Sequence, residues 1–384
     1  MSAYPSGVKI RKNRQGQQGP MDVNEAGVQD DLKPLAVGEG RPVHPATLPR
    51  PWILADIGGT NARFGWLDAT GVVEHVTTLR AADHAGPAEA AGAYLQQMAG
   101  LLGAAYRPPQ AGAFAVATAI SGDRVSFTNN KGWAFSRSAT CRDLGLRELL
   151  ILNDFEALAL SLPRLRPDQL RGWGAGAGAD TAEGVSLADP SARQALAVIG
   201  PGTGLGVAGI VPTRHGWVAI PGEGGHASLS AADDFEAELL RQVRRVYPHV
   251  SAERLLSGIG LPVLHAGVAA VLGQVAPALT AEAVVERGMA GADAVCARSL
   301  DAFCALLGSF AGNVALTMGA RGGVYIGGGI VPRLGDRFFA SDFRQRFQAK
   351  GRFQAYLQAI PTPLITDTLA ALSGAALALE QHGN

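Results

Sequence analysis

The sequence predicts an α/β fold built from a repeated unit, and three observations point to it. Residues 53–66 hold an apolar run, a Gly-Gly-Thr turn and then alternating apolar residues, a pattern typical of two strands joined by a tight turn. Residues 195–211 repeat this pattern around a Pro-Gly-Thr-Gly turn, roughly 145 residues further along the chain. Stretches with helical spacing lie between the predicted strands. Together these features indicate a duplicated βββαβα-type unit.

Composition narrows the class of protein. The chain has 384 residues, enough for one large domain or two ordinary ones, and its apolar content of 47% is ample for real cores. Its 33 basic and 33 acidic residues balance, which argues against binding of nucleic acid or membranes through bulk charge. Three cysteines without a Cys-x-x-Cys pair indicate a reducing compartment and no structural zinc. No apolar run follows the basic N-terminus, so we expect no secretory signal and a cytoplasmic protein.

The first half of the chain is predicted as follows. Residues 1–50 lack periodicity, so we expect a disordered or loosely attached extension. The predicted elements after it are the strand pair at 53–66, strands at 72–79, 111–120 and 148–152, and helices at 87–102 and 156–162.

The second half begins with a Gly-rich surface loop or hairpin insertion at 173–192. The predicted elements after it are strands at 195–200, 207–211, 324–326 and 360–366 and helices at 232–246, 261–270, 282–289, 292–318, 343–350 and 369–379. A further helix is expected to start within 250–258, with Ser251 as its N-cap. The apolar region 305–331 contains Asn313, Arg321 and many glycines, which favours a buried helix, a turn and a strand over a membrane span.

The two Gly/Thr turns predict loops that bind anions of phosphate size. Paired glycines allow the backbone to curl so that successive N–H groups point at one spot, and Thr60 adds a hydroxyl donor. Asp56 precedes the first turn, where a carboxylate can hold a divalent ion or its water. The glycines at 327–329 would let a flat base or ribose pack directly on the backbone.

Several polar residues stand where a ligand would bind. Asn153 and Asp154 follow the strand at 148–152, and open α/β sheets bind ligands at such carboxyl ends. Either residue would serve equally well as a helix cap, and the pattern alone favours that simpler role. Glu223 and His226 lie in a glycine-rich loop and are not core types, which indicates a binding loop. Glu253 is most simply explained as compensation of a helix dipole.

Common nucleotide-binding and hydrolase signatures are missing from the sequence. It contains no Gly-x-x-x-x-Gly-Lys-Ser/Thr loop and no protein-kinase His-Arg-Asp or Asp-Phe-Gly motif. The run at 202–206 does not complete Gly-x-Gly-x-x-Gly, because Val207 takes the place of the third glycine. Neither Gly-x-Ser-x-Gly nor His-Glu-x-x-His occurs. Two Gly/Thr turns with a carboxylate at a strand end suit phosphoryl transfer, which needs positioning, charge neutralisation and an aligned hydroxyl.

Five motifs in this order resemble those of the bacterial glucokinases, which are ATP-dependent sugar kinases. The resemblance runs from about residue 52 to the last predicted helix and leaves out 1–50 and the insertion near 173–192. The motifs are Ala-Asp-Ile-Gly-Gly-Thr at 55–60, Asn-Asp-Phe at 153–155, Gly-Thr-Gly-Leu-Gly at 202–206, Pro-Gly-Glu-Gly-Gly-His at 221–226 and Ser-Ala-Glu-Arg at 251–254.

The resemblance implies a role for each motif. Asp154 would be the general base that takes the proton from the 6-hydroxyl of glucose. The other sugar hydroxyls would be held by Asn153, Glu223, His226 and Glu253. Asp56 would hold Mg²⁺, directly or through water. The residues implied to bind ATP are Ala55, Asp56, Ile57, Gly58, Gly59, Thr60, Gly202, Thr203, Gly204, Gly327, Gly328 and Gly329.

The resemblance also implies an actin-like ATPase fold of the duplicated ribonuclease H-like kind, with two lobes and a cleft between them. The small lobe would comprise 51–163 and 367–384, and the large lobe 164–366. Family members are commonly homodimers, so a homodimer is expected here, without nucleic-acid or membrane partners. Asn129 and Asn130 are left unassigned, because their spacing from Trp133 departs from the pattern.

Two alternatives remain open at this point. A kinase of the same fold would act on mannose, fructose or an N-acetylated amino sugar. A non-catalytic sugar sensor would bind glucose and regulate a partner, although a retained Asp154 argues against it. Relatives in the repressor–kinase group carry a cysteine-rich zinc motif that Cys141, Cys296 and Cys304 cannot supply.

Overall fold

A computed structural model describes residues 49–118, 120, 122–127, 133–173 and 193–382. The predicted N-terminal extension lies outside the described residues except for its last two positions. The predicted insertion lies outside them except for Trp173, and Asn129 and Asn130 lie outside them as well.

The described residues contain strands at all the predicted positions and at four others that were not predicted, 124–126, 134–136, 170–171 and 216–222. They are β1 (Trp52–Ile57), β2 (Asn61–Leu67), β3 (Val73–Arg80), β4 (Ala111–Val116), β5 (Arg124–Ser126), β6 (Ala134–Ser136), β7 (Glu148–Asn153), β8 (Leu170–Arg171), β9 (Leu196–Pro201), β10 (Leu205–Thr213), β11 (Gly216–Gly222), β12 (Val324–Ile326) and β13 (Leu364–Ile365). The strands predicted at 111–120 and 360–366 are confirmed but are shorter than expected.

Helices connect and cover these strands. They are α1 (Pro87–Leu102), α2 (Arg137–Asp143), α3 (Asp154–Ser161), α4 (Asp234–Arg244), α5 (Leu261–Val271), α6 (Ala281–Ala290), α7 (Ala294–Met318), α8 (Val331–Leu334), α9 (Asp336–Phe339), α10 (Phe343–Gln348), α11 (Gln354–Gln358) and α12 (Ala370–Gln381).

Two sheets share one strand arrangement, which confirms the predicted duplication. The first sheet has the order β3-β2-β1-β4-β7, with β1, β4 and β7 parallel and the β1–β2–β3 meander antiparallel. The second has the order β11-β10-β9-β12-β13-β8, and its first five strands repeat that pattern. The parallel strands of each sheet therefore end at one edge, where such sheets bind ligands.

The core between the sheets is built on α3 and α12. Leu54 and Ala113 of the first sheet, Val198 and Ile210 of the second, and both helices belong to one buried apolar cluster. A second cluster packs α4, α5, α7 and α10 on the far side of the second sheet, and a third packs α1 on the first sheet. Burial of this apolar surface is the main source of the stability of the fold.

The helix predicted to start within 250–258 is wrong, because this segment forms a series of turns. Its N–H groups reach distant partners: Ala252 donates to the Ala227 carbonyl at 2.9 Å and Glu253 to the Gly225 carbonyl at 2.8 Å. Such long-range hydrogen bonds hold the segment against the loop at 221–226. Glu253 therefore does not compensate a helix dipole.

Trp173 is not part of a surface loop. Its indole stacks on Phe343 and packs against Phe338 and Phe339, and its Nε1 donates to the Phe339 carbonyl at 3.0 Å. The predicted insertion therefore begins after an aromatic residue that is fixed in the core of the second sheet.

Helix α7 is long and apolar enough to cross a membrane by length and composition, and no other described helix is. Buried positions make up 72% of its most apolar window, and the helix ends at Gly319 before a turn leads into β12. The predicted buried helix, turn and strand over 305–331 are thus confirmed.

Close contact between α3 and α12 depends on Gly374. A Cβ at this position would lie 1.6 Å from the Ala157 carbonyl oxygen, so the two helix backbones touch where the side chain is missing. Gly374→Ala must push α12 away from α3. We expect it to lower the free energy of unfolding by about 2–4 kcal/mol, measured as the midpoint of urea denaturation.

A matched control is Gly100→Ala on α1, where a Cβ would meet no atom within 4 Å. Since alanine favours a helix interior over glycine, this change should stabilise the protein by about 0.5–1 kcal/mol. Equal effects of the two substitutions would show that the α3–α12 contact is not close.

Candidate active site

The predicted catalytic and metal-binding carboxylates lie at one edge of the first sheet. In the register of the parallel strands, Ile57 of β1 is opposite Val116 of β4, and Val116 is opposite Asn153 of β7. Asp56 therefore lies two strands from the end of β7, where Asp154 begins α3. Asp56 and Asp154 are close enough for their charges to interact.

Asn153 is the N-cap of α3, as the simpler interpretation of the sequence predicts. Its Oδ1 accepts hydrogen bonds from the N–H groups of Phe155 at 2.9 Å and Glu156 at 3.3 Å. The Glu156 carboxylate accepts the Asn153 N–H at 3.4 Å and completes a capping box. The amide nitrogen Nδ2 donates to the Thr118 carbonyl at 3.3 Å, which uses one of its two hydrogens.

Asp154 is a half-buried carboxylic acid with an unusual affinity for a proton. Burial, the largest cause, raises the pKa of Asp154 to about 7, and the charges of Asp56 and Glu223 act in the same direction. Backbone hydrogen bonds, including that from the Phe155 N–H at 3.0 Å, oppose the rise. A carboxyl that is half ionised near neutral pH is well suited to take up a proton.

Asp56 pairs with Arg63, its antiparallel neighbour on β2. The distance from Arg63 Nη1 to Asp56 Oδ2 is 3.0 Å, and the Asp56 side chain is 18% exposed. Burial raises the pKa of Asp56 and the adjacent guanidinium lowers it. Among the described contacts only Oδ2 is engaged, which leaves Oδ1 for a cation or a water.

The first glycine turn differs from the predicted curled anion site. Gly58 donates to the Asn61 carbonyl at 2.9 Å, and the exposed Thr60 accepts from the Ala81 N–H through its carbonyl. Neither Gly58 nor Gly59 has a positive φ. The backbone conformation therefore does not require glycine at these two positions. The space above the turn is open, because a Cβ on Gly58 would meet only the Asn61 oxygen, at 3.6 Å. The flanking Ala55 and Ile57 are fully buried.

The second glycine turn is fastened to the segment that carries Glu253. Gly202 accepts the Gly258 N–H at 2.7 Å, and Thr203 accepts the Ile259 N–H at 3.3 Å. Gly202 and Gly204 also have no positive φ, so curling does not explain this turn either. A Cβ on Gly202 would meet nothing within 4 Å, and Thr203 is exposed.

Two further glycines in this region make room for Phe155. A Cβ on Gly200 would lie 2.4 Å from the Phe155 ring, and one on Gly206 would lie 2.1 Å from it. The ring therefore fits against β9 and β10 only because both side chains are missing. Gly206 faces this ring, so the predicted phosphate loop ends before it.

The glycines at 327–329 follow β12, at the edge of the second sheet where its parallel strands end. Gly327 donates to the Ile199 carbonyl at 2.7 Å, and Gly328 has φ +76°, which glycine adopts without strain. A Cβ on Gly328 would also lie 2.4 Å from the Pro201 oxygen. These two glycines are needed by the fold, whereas Gly329 has open space around it.

Glu253 joins the predicted sugar loop to the second glycine turn. Its Oε2 accepts the Leu205 N–H at 2.9 Å, and a Cβ on Gly204 would lie 2.5 Å from the same oxygen. Its Oε1 lies 3.8 Å from Nε2 of His226, whose side chain is 61% exposed. Glu223 is also exposed, and its charge reaches Asp154. The structure thus brings Asp154, Glu223, His226 and Glu253 to one region.

Sequence reasoning missed three contributors to this region. Arg63 pairs with Asp56, Phe155 packs on the second sheet, and Gly258 fastens the turn at 202–204. The alternation of β2 carried a signal for Arg63, since it places residue 63 beside residue 56 across a tight turn. No local pattern pointed to the other two.

Comparisons with known proteins agree on one family. The glucokinase family model matches residues 53–382. Glucokinase of Chromobacterium violaceum is 48% identical over 337 residues, 87% of this chain and 91% of that protein. Glucokinase of Paramagnetospirillum magneticum is 46% identical, over 84% of this chain and 96% of that protein. The crystal structure of a glucokinase from an Antarctic psychrotroph superposes with a TM-score of 0.74 at 37% identity, covering 86% of this chain and 98% of that one.

The raised pKa of Asp154 has a consequence for stability. Between the ordinary value of 3.8 and about 7, the folded chain holds this proton more tightly than the unfolded chain. Ionised Asp154 therefore destabilises the fold at high pH, and the penalty disappears as the pH falls. We expect Asp154→Asn to raise the free energy of unfolding by on the order of 2 kcal/mol at about pH 8 and to have little effect near pH 4.

Urea denaturation at both pH values measures this difference. Asp83→Asn, which changes an exposed carboxylate in the same way, is the control and should show no such pH dependence. A variant at position 154 that is no more stable than the parent at about pH 8 would contradict the raised pKa.

Proposed function

Since the chain belongs to the glucokinase family, we propose that the edge holding Asp154 is its catalytic centre, with Asp154 as general base. The protein has the actin-like ATPase fold and is an ATP-dependent sugar kinase. It transfers the γ-phosphoryl group of ATP to the 6-hydroxyl of D-glucose and yields glucose 6-phosphate and ADP, the first step of glycolysis. The observation that carries the proposal is the half-buried Asp154 at the end of β7, with its pKa raised to about 7.

The proposed step at Asp154 is a proton transfer from the sugar. The carboxylate accepts the proton of the 6-hydroxyl as that oxygen forms its bond to the γ-phosphorus and the bond to the ADP oxygen breaks. A base with this pKa is ionised in about half the molecules at neutral pH, and it still binds a proton well. A positioned base of this kind typically contributes about 10²–10⁴-fold to the rate.

The remaining sugar hydroxyls are assigned to polar groups around Asp154. Glu223, His226 and Oε1 of Glu253 are free to reach a ligand, while Oε2 of Glu253 holds the Leu205 N–H. One hydrogen of the Asn153 side-chain amide is bonded to the Thr118 carbonyl, and the other would donate to a sugar hydroxyl. Carboxylates that accept from hydroxyls and an amide that donates suit a polyhydroxyl ligand.

ATP is assigned to the two glycine turns and to residues 327–329. The positions with open space, Gly58, Gly202 and Gly329, have no steric need for glycine within the protein itself. A polyphosphate that lies directly on the backbone explains their lack of side chains. The exposed hydroxyls of Thr60 and Thr203 lie in these turns and would donate to phosphate oxygens.

We assign Mg²⁺ to Asp56. Its unpaired Oδ1 is a hard oxygen ligand, which fits a cation that is usually bound by one or two carboxylates and by substrate phosphates. The ion would neutralise charge on the phosphates as the phosphoryl group is transferred. Arg63 keeps Asp56 oriented through its bond to Oδ2.

We also propose the division into a small lobe (51–163 and 367–384) and a large lobe (164–366). Each part contains one of the two similar sheets. Closure of the lobes on glucose would exclude water, which competes with the sugar for the phosphoryl group. A homodimer in the cytoplasm, without nucleic-acid or membrane partners, completes the proposal.

A coupled assay with ATP, Mg²⁺ and a panel of hexoses tests the function. Turnover on glucose well above that on mannose, fructose and N-acetylglucosamine is the expected result. Preference for another hexose would favour a related kinase of the same fold. Glucose binding without turnover on any hexose would favour a sugar sensor.

Asp154→Ala removes the proposed base. We expect kcat to fall by at least about 10³-fold, while glucose binding remains measurable by calorimetry, because the sugar keeps its other contacts. Asp83→Ala serves as the surface control and should keep the parent rate. If Asp154→Ala retains more than about a tenth of the parent kcat, Asp154 is not the base.

Glu253→Gln keeps the size of the side chain and an oxygen that can accept the Leu205 N–H. It removes the negative charge facing the proposed sugar site, so we expect KM for glucose to rise by about 10-fold or more with a smaller change in kcat. Glu286→Gln on the exposed face of α6 is the matched control. An unchanged KM for glucose would show that Glu253 does not bind the sugar and that its role is the hydrogen bond to the Leu205 N–H.

A further inference from the structure

A cluster of three metal-ligating side chains lies in the helical layer of the second sheet, among residues that the kinase reaction does not use. His265 is on α5, Asp293 is the N-cap of α7, and Cys296 is in the first turn of α7. One ligand atom from each side chain lies within 4.8 Å of the other two. Two separate elements, α5 and the start of α7, thus meet at one point.

His265 gives the cluster its independent evidence for a ligand. The side chain is 1% exposed, and its Nε2 has no hydrogen-bond partner among the described residues. A buried polar nitrogen without a partner is unfavourable, and such groups in native proteins call for an explanation. An imidazole nitrogen together with a thiol and a carboxylate has the composition of a metal site.

We propose that His265, Asp293 and Cys296 bind one Zn²⁺ ion. Nitrogen, oxygen and sulfur ligands together suit zinc, and three protein ligands leave a fourth tetrahedral position for water. Zinc holds nitrogen and oxygen at about 2.0–2.2 Å and sulfur at about 2.3 Å, so the three side chains need to close by roughly 1 Å around the ion.

The burial of the three ligands and the charge of a nearby arginine both affect binding of the ion. Cys296 is fully buried, whereas Asp293 is only half-buried and is partly accessible to solvent. Exposed Arg287 on α6 is close enough for its charge to act on both His265 and Cys296. Its positive charge works against a cation, so Arg287→Gln should strengthen binding.

The ion would link α5 to α7, and both helices pack close to the proposed active site. A Cβ on Gly288 of α6 would lie 2.9 Å from the Cys296 carbonyl, so α6 and α7 are already in close contact here. Helix α5 follows directly on the turns that hold Glu253 and Gly258. Zinc would therefore stabilise the large-lobe helices on which these turns rest, without contact with ATP or glucose.

Zinc binding to the full chain, treated with chelator and free of nucleotide, tests the proposal. We expect calorimetry to give one Zn²⁺ per chain with Kd at or below about 1 μM, and zinc to raise Tm. Co²⁺ in the same site should give an intense near-ultraviolet band from the bond between thiolate and metal, together with the visible spectrum of a tetrahedral site. No stoichiometric binding to the folded chain would overturn the proposal.

Matched variants locate the ion. Cys296→Ser and Asp293→Asn should each weaken binding by at least about 10-fold and remove the Tm response, and Asp293→Asn preserves the N-cap, since asparagine caps helices as well as aspartate. Cys141→Ser, the same substitution on α2, should leave zinc binding and the cobalt band unchanged. Zinc binding that survives both Cys296→Ser and Asp293→Asn in folded protein would place the ion elsewhere and end the proposal.

Discussion

The position of the Asp154 carboxylate, the proposed base, depends on the packing of one aromatic ring. Phe155 fills the space left by the missing side chains of Gly200 and Gly206, so the start of α3 is held against β9 and β10 of the other sheet. Because Asp154 directly precedes Phe155, the two strands that flank the glycine turn at 202–204 also determine where this carboxylate lies. That turn is proposed to bind the phosphates. The packing of Phe155 would therefore position the proposed base relative to the proposed phosphate site, and precise placement of reactants accounts for much of the catalysis of phosphoryl transfer.

A second link joins the proposed sugar site and the proposed nucleotide site through Glu253. One carboxylate oxygen accepts the N–H that follows the turn at 202–204, and the other faces His226 and the sugar loop. Gly204 has to be glycine for this bond to form, since a Cβ would lie 2.5 Å from the carboxylate. Occupation of the proposed sugar site would thus be coupled through a single side chain to the backbone of the proposed nucleotide turn.

Local patterns were sufficient to predict most of the described strands and helices, because alternation and helical spacing are properties of neighbouring residues. The prediction at 250–258 failed because the hydrogen bonds of Ala252 and Glu253 go to a loop about 25 residues away, which no window of sequence contains. The glycine turns were located correctly, but Gly58, Gly59, Gly202 and Gly204 have no positive φ, so the predicted curling does not explain them. Gly204 instead makes room for the Glu253 carboxylate. Cysteine spacing could not reveal the proposed zinc site either, because His265 and Cys296 come together only in the folded chain.

The electrostatics of Asp154 argue for a base that becomes ionised as the site fills. Burial and repulsion both raise its pKa, but they respond differently to ligands. Burial of Asp154 would persist or increase if the cleft closes, whereas the repulsion depends on the negative charge of Asp56. Arg63 already offsets part of that charge through Oδ2, and a cation held at Oδ1 would offset more. Such a cation would remove part of the repulsion that raises the pKa of Asp154 and would favour its carboxylate form. Asp56 would thereby serve both to hold the metal and to set the ionisation of the base, so that the proton acceptor is ready when the phosphates are in place.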